Sequence, residues 1–362
     1  MNKKLRRGII LSAVAISVTG VVVYFASTGI AFKSVCENVI NIRSRADLEK
    51  NKYLYYIQKT RADFPLMNER EELTFSHGKE TLQGYLYQVD NPNGIIISAH
   101  GINDNAELAT TQYQNYFLSK GWDVFSFDMT GCGKSTGKGQ KSLLESTKCI
   151  KNAAKYVQNY EKTKNLPLCL VGYSWGAYGV LRASDSVDNV KAVASFAAFD
   201  TANEMMYKMG EKYVTKAALF TKPGMSFADL LTYGDEVFET ASSVVKKHKE
   251  INYVIAQGDK DTYVSLKGLS TYSKVVDKGL DNVTPILLKD RGHDYPWKTK
   301  ESIEYISNTL YPDYLNPLRE KYKVIPTEEL EKFKSQIDID KASELDIEVM
   351  DTINNVFLNS VK

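Results

Sequence analysis

Through the middle of the chain, short apolar runs alternate with segments of helix length. The runs are Gly94 to Ala99, Trp122 to Phe127, Pro167 to Val171, Val190 to Phe196, Ile251 to Ala256 and Pro285 to Leu288. Runs this short and this continuously apolar predict strands buried on both faces. With helical segments between them they predict a mostly parallel sheet covered by helices, an α/β architecture. Ahead of them, Leu73-Thr74-Phe75 and Leu82 to Val89 flank the turn cluster Ser76-His77-Gly78-Lys79, which predicts a β-hairpin. In such a sheet ligands sit beyond the carboxyl ends of the strands, so chemistry is expected in the loops that follow the runs.

Three stretches depart from this alternation. Residues 201–249 lie between two strand runs and read as helical, with Pro223-Gly224 as a break; they carry Met205, Met206, Met209, Phe220, Met225 and Phe227. Their place in the chain and their adaptable side chains predict a cap over the site rather than plain packing. Residues 311–362 form a C-terminal extension in which Ile347, Met350, Ile353 and Phe357 share one face of a terminal helix. At the other end, Lys3, Lys4, Arg6 and Arg7 precede an uncharged run of 25 residues from Gly8 to Phe32. At about 1.5 Å per residue a helix of this length crosses a hydrocarbon core of roughly 30 Å. The expectation is a transmembrane signal anchor over 1–32 that holds the basic tip in the cytoplasm and the rest of the chain outside. A cleaved signal ending at Gly29-Ile30-Ala31 is the alternative, and would give a secreted protein. Residues 33–69 then read as a stalk or accessory segment leading to a domain over 70–310.

Composition narrows the field. An apolar share of 43% and a charged share of 25% are ordinary for a globular protein, and the net charge of +2 gives no reason to expect nucleic acid. The four cysteines, Cys36, Cys132, Cys149 and Cys169, lack the spacing of a zinc site. Cys132 and Cys149 are candidates for a disulfide in an oxidising exterior, with free buried thiols as the alternative. No metal or organic cofactor is called for.

The chemistry centres on one strand end. Pro167 to Val171 runs into Gly172-Tyr173-Ser174-Trp175-Gly176, and a helical stretch follows. A G-x-S-x-G sequence between strand and helix makes a sharp turn with Ser174 exposed at its apex. A hydroxyl needs a base, and the base needs an orienting carboxylate; behind such an elbow they follow in the order acid, then histidine. Only His248 and His293 follow Ser174. His248 sits in the charged run Lys246 to Glu250, whereas His293 follows the Pro285 to Leu288 run, so His293 is the expected base. The acid belongs after Ile251 to Ala256, where Asp261 is the first choice and Asp259 its competitor. For the oxyanion, the Trp175 amide and the Ile102 amide of His100-Gly101-Ile102-Asn103 are the expected donors, with His100 in a structural role.

These motifs together resemble the α/β-hydrolase superfamily, in its lysophospholipase/monoacylglycerol-lipase and serine-aminopeptidase-like branch. The resemblance covers about residues 70–310. It rests on His100-Gly101, on Asp128 to Gly137 (read as D-x-x-G-x-G-x-S-x-G), on the elbow at Ser174, and on Gly258-Asp259-Lys260-Asp261 with Gly292-His293. It implies an eight-stranded, mostly parallel sheet with a helical cap before the acid. It also implies that the Asp128 to Gly137 loop is structural, and the loop lacks P-loop spacing. Ala177 stands where the branch often has a second glycine, and the bulk of Trp175 suggests an unusual acyl pocket. The function expected is a membrane-anchored serine hydrolase that cleaves a small-molecule or lipid acyl ester through an acyl-enzyme. A peptidase acting on short peptides is the alternative, and a non-catalytic binding protein of the same fold a further one.

Overall fold

One eight-stranded sheet organises the computed structural model, which describes residues 17–29, 43–211 and 222–362. The strands are β1 (Glu71–His77), β2 (Glu80–Tyr87), β3 (Ile95–Ala99), β4 (Asp123–Phe127), β5 (Leu168–Tyr173), β6 (Val190–Phe196), β7 (Asn252–Gly258) and β8 (Val283–Leu288). Their order is β1-β2-β4-β3-β5-β6-β7-β8. β2 runs antiparallel to both neighbours and all other pairings are parallel. Each run became a strand; β3 to β7 are buried on both faces, as continuous apolar sequence allows, whereas β8 is the edge strand and leaves Pro285 and Leu287 exposed. The hairpin turn is shorter than the cluster that marked it. His77 pairs with Glu80 inside the ladder, which leaves Gly78 at a φ of 60° and Lys79 to make the turn.

Side chains alternate between two packed layers. On one face, Ile95, Ile97, Phe125 and Phe127 meet α3 (Glu145–Asn159) and α4 (Trp175–Ala183); on the other, Ile96, Val124 and Val171 meet α2 (Thr111–Ser119) and the C-terminal helix Ile347–Val361. That last helix contributes Met350, Ile353 and Phe357, all fully buried, while Ile347 in its first turn is half exposed. The 43–67 stretch is a set of 3₁₀ turns. It lies against the body through Ser44 N–H to the Gly131 carbonyl (3.1 Å) and Ala46 N–H to the Asn103 carbonyl (3.2 Å).

Between β6 and β7 come α5 (Ala202–Glu211), α6 (Lys222–Tyr233), a 3₁₀ turn at Gly234–Val237 and α7 (Ala241–Lys247). Pro223 and Gly224 open α6 instead of breaking a helix, in keeping with proline's fit to a first helical turn. Of the apolar run 8–32, residues 17–29 are described and form a helix, α1; its ends, like Cys36, lie outside the described residues. Thirteen residues span only about 20 Å, and among the described residues no helix is long and apolar enough to cross a membrane. Phe25 of α1 touches Phe227 of α6, with ring centroids 5.6 Å apart. Cys132, Cys149 and Cys169 are buried free thiols, so the Cys132–Cys149 pair is not formed.

Candidate active site

The carboxyl end of β5 sits mid-sheet, and the chain turns there directly into α4. Ser174 takes φ 52° and ψ −108°, a left-handed backbone conformation rare outside glycine. The turn closes only because its flanks are bare. A Cβ on Gly172 would lie 2.4 Å from the Gly176 carbonyl oxygen, and one on Gly176 would lie 2.2 Å from the Ala99 oxygen. The Ser174 amide donates to the Phe196 carbonyl at the end of β6 (2.8 Å), which fixes the apex against the sheet.

Three side chains from three loops converge on that apex. His293 Nε2 lies 2.9 Å from Ser174 Oγ, and His293 Nδ1 lies 2.8 Å from Asp261 Oδ2. Asp261 is buried and accepts three further bonds, from Gln257 Nε2 (3.0 Å) and from the amides of Tyr263 (2.9 Å) and Val264 (2.8 Å). With Nδ1–H donating to Asp261, Nε2 keeps the lone pair that accepts from the hydroxyl. Asp259, the competitor, makes no hydrogen bond to His293, and its Oδ1 is buried without a partner. His248 lies elsewhere, bonded to Asp185 (2.9 Å) and Glu250 (2.6 Å).

The proposed oxyanion donors face the same end of the sheet. Among the described residues, neither the Ile102 nor the Trp175 amide has an acceptor within the protein. The Trp175 ring is only 1% exposed, and its indole N–H donates to the Leu143 carbonyl (2.8 Å). Its bulk is therefore turned into the core rather than standing open in the site. His100 is structural in its contacts. Burial pushes its ring down to about 4, so it is neutral; Nδ1–H donates to the Gly101 carbonyl (2.7 Å) and Nε2 accepts from the Met129 amide (3.0 Å). The Asp128 to Gly137 loop closes on itself. Asp128 accepts from the amides of Ala106 and Lys134 (2.9 Å each) and from Tyr85 OH (3.0 Å), while burial pushes its carboxyl up to about 6.

Two supporting residues carried no signal of their own in the sequence. Tyr173 OH donates to the His293 carbonyl (3.1 Å), tying the His293 loop to the elbow. Gln257 holds Asp261 from the end of β7. Residue type alone does not separate such roles from ordinary core positions.

Among the described residues, one cluster has donors of the kind metals use: His77, Glu145 and Cys149, with ligand atoms within 4.8 Å of one another. Its charges are already met. His77 Nε2 bonds Glu145 (2.9 Å), and Glu145 also accepts from Lys141 (3.1 Å) and Tyr233 OH (2.9 Å). Burial opposes ionisation of Glu145, yet the His77 hydrogen bond and the Lys141 charge hold its carboxyl low. The cluster reads as a buried ion pair joining β1, α3 and α6.

An open, mostly parallel sheet with a strained serine elbow, and a histidine and an aspartate brought to it from later loops, defines the α/β-hydrolase class. Residues 90–270, half of the chain, match the family model described as serine aminopeptidase, S33, so the chain belongs to that family of the α/β-hydrolase superfamily. Over 129 residues it is 30% identical to the uncharacterized protein YqkD of Bacillus subtilis (strain 168), a match that spans 34% of this chain and 41% of YqkD. Among solved structures it is similar to an esterase of Pyrococcus furiosus, Pf2001 (18% identity, 73% of this chain and 91% of that one, TM-score 0.47). It is also similar to Est1E of Butyrivibrio proteoclasticus with ferulic acid bound (17%, 61% and 90%, TM-score 0.47).

Proposed function

We propose that this chain is a serine hydrolase that cleaves carboxylic esters of lipid type through an acyl-enzyme, with Ser174 as nucleophile, His293 as general base and acid, and Asp261 as its orienting partner. The observation that carries this reading is the relay from Ser174 Oγ through His293 to Asp261, with both links under 3 Å, at a strained strand-to-helix turn. Ser174 Oγ attacks the ester carbonyl carbon and gives its proton to Nε2. The imidazolium is stabilised by Asp261, and the oxyanion by the Trp175 amide at the start of α4 together with the Ile102 amide in the loop after β3. Collapse breaks the carbonyl–oxygen bond, and the alcohol leaves with the proton from Nε2. Water then repeats the sequence on the acyl-serine and releases the acid.

The preference for an apolar acyl group draws on the cap, where Met205 and Met206 are buried, Leu231 is exposed, and the half-exposed Phe227 meets Phe25 of α1. The same apolar surface, with the basic tip and uncharged run ahead of it, supports attachment to the cell membrane with the hydrolase outside. The family's description as serine aminopeptidase favours a second reading, cleavage of short peptides.

A fluorophosphonate probe tests the nucleophile: the wild type is expected to be labelled and Ser174→Ala not. Equal labelling of both would remove the assignment. For the ester reading, p-nitrophenyl esters of graded chain length are expected to be cleaved in preference to aminoacyl anilides. The reverse order would establish the peptidase reading.

A further inference from the structure

The loop that carries Ile102 has neither helix nor strand of its own between β3 and α2. Asn103 within it takes φ 61°, in the left-handed region. Such a loop keeps its shape through bonds to other parts of the chain. The family region supplies one set. Ala106 donates its amide to Asp128 (2.9 Å) and accepts from Gln114 Nε2 (2.9 Å), and the Asn103 amide reaches Gln140 Oε1 at 3.4 Å. A second set comes from residues 44–58, ahead of β1. The Asn103 carbonyl accepts from the Ala46 amide (3.2 Å), the Asp104 carbonyl from Ser44 Oγ (2.9 Å) and the Leu108 carbonyl from Gln58 Nε2 (2.8 Å). Asn105 Nδ2 donates to Tyr55 OH (2.6 Å) and to Asp47 Oδ1 (3.3 Å). The other Asp47 oxygen accepts from the Gly133 amide (2.8 Å) in the Asp128 to Gly137 loop. A carboxylate only accepts, its two oxygens can take two donors at once, and its charge strengthens both bonds. Asp47 therefore fastens the two loops to each other. The segment is itself anchored, because Tyr53 and Ile57 are buried with Leu315, Leu330 and Phe333 of the C-terminal extension.

Ile102 stands between two sets of holds. Before it, the Gly101 carbonyl accepts from the His100 ring (2.7 Å), and a Cβ on Gly101 would stand 3.7 Å from Ser174 Cβ. After it, the Asn103 carbonyl is held by Ala46, the Asp104 carbonyl by Ser44 and the Asn105 side chain by Asp47. An oxyanion donor acts only when it lies about 2.7–3.1 Å from the charged oxygen. A misplacement of about 1 Å at a reacting centre can cost roughly 10²-fold in rate.

We propose that residues 44–58 clamp the loop that donates the Ile102 amide, and that Asp47 is the positioning residue that keeps this amide at oxyanion distance from Ser174. This role rests on the serine-hydrolase reading above and deepens it. Asp47 lies outside the 90–270 family match, so the clamp is an addition to the family region.

The test uses the full chain and two competitors of fluorophosphonate labelling at Ser174, octyl trifluoromethyl ketone and octyl methyl ketone. With the first, Ser174 Oγ adds to the carbonyl carbon, its proton passes to His293 Nε2, and the carbonyl electron pair becomes an oxyanion that needs the amides. The second binds as an intact ketone and does not. Protection from the probe requires no cleavable substrate, so it serves for ester and peptide hydrolases alike. The wild type is expected to bind the trifluoromethyl ketone at least about 10²-fold more tightly than the methyl ketone. In Asp47→Ala that preference is expected to fall about tenfold or more, with methyl ketone affinity held within about twofold. For p-nitrophenyl octanoate, kcat is expected to fall by a similar factor at nearly unchanged KM. Phe357→Ala, a destabilising change in the far layer, is expected to keep the preference; an equal fall there would make the effect one of stability and overturn the role. If Asp47→Ala does not fold, Ser44→Ala, which removes the partner of the Asp104 carbonyl, is read in its place, with an expected fall of about threefold or more. An unchanged preference in the variant read overturns the clamp and leaves the hydrolase reading intact. If the wild type is not labelled at all, the hydrolase reading fails and the role of Asp47 with it.

Discussion

Ser174 is one of eight described non-glycine residues at positive φ, and the one at the apex of the elbow. A non-glycine residue at φ 52° and ψ −108° costs of order 1–3 kcal/mol. The fold holds it there because Gly172 and Gly176 let the turn close and because Phe196 anchors the amide. Ser174→Gly is expected to lose all hydrolysis while gaining about 1 kcal/mol of stability, read as a higher urea midpoint. A lower midpoint would mean that the bond to His293 outweighs the strain. The elbow and His293 were legible from the sequence, by motif and by elimination among four histidines. The carboxylate that meets His293 was legible only to within two candidates. Asp259 and Asp261 are two residues apart in one loop, and the path of the chain after β7, not residue type, carries Asp261 to His293 Nδ1.

At the scale of elements, periodicity announced the strands and the terminal helix, but not what they touch. Met350, Ile353 and Phe357 were expected on one face and are; Ile347, in register with them, stays half exposed. Phe357 stacks on Phe117 of α2 (centroids 5.8 Å) and meets Trp122 edge-on (6.0 Å). The helix therefore forms part of the layer on that face of the sheet. Phe357→Ala is expected to cost about 3–5 kcal/mol, measured by urea denaturation, with kcat per folded molecule retained. A loss below 1 kcal/mol would show that the helix is dispensable to the core. Pro223 illustrates the opposite failure. Sequence alone reads proline-glycine as punctuation, whereas the chain uses it to begin α6.

Across the whole molecule, one buried cation joins parts that the sequence lays far apart. Lys298 is fully buried; its Nζ donates to Gln58 Oε1 and to the Ala342 carbonyl, each at 2.8 Å. It thereby links the 43–67 segment, the loop after β8 and the C-terminal extension. Burial pushes this lysine down to about 7 from its ordinary 10.5. Between those values the unfolded chain holds a proton that the native protein lacks, so this residue's contribution to stability rises with pH across that window. Below it, the native protein must bury an ammonium group. Parallel melts of Lys298→Met and wild type are expected to shift in the variant's favour as pH falls from 10 to 7. A difference that stays flat with pH would show that Lys298 is not desolvated.

By itself the sequence determined the class of the protein: its strands, its elbow, the order of its reactive groups and its family. These are local or serial properties, set by side-chain period, by glycines that permit one backbone turn, and by order along the chain. Only the tertiary structure decided which carboxylate meets the histidine, where the Trp175 ring goes, that Tyr173 bonds the His293 carbonyl and Gln257 bonds Asp261, and that Lys298 reaches both Gln58 and Ala342. Those outcomes depend on distances between residues remote in sequence, and such distances are fixed by how the layers pack, which no local pattern encodes.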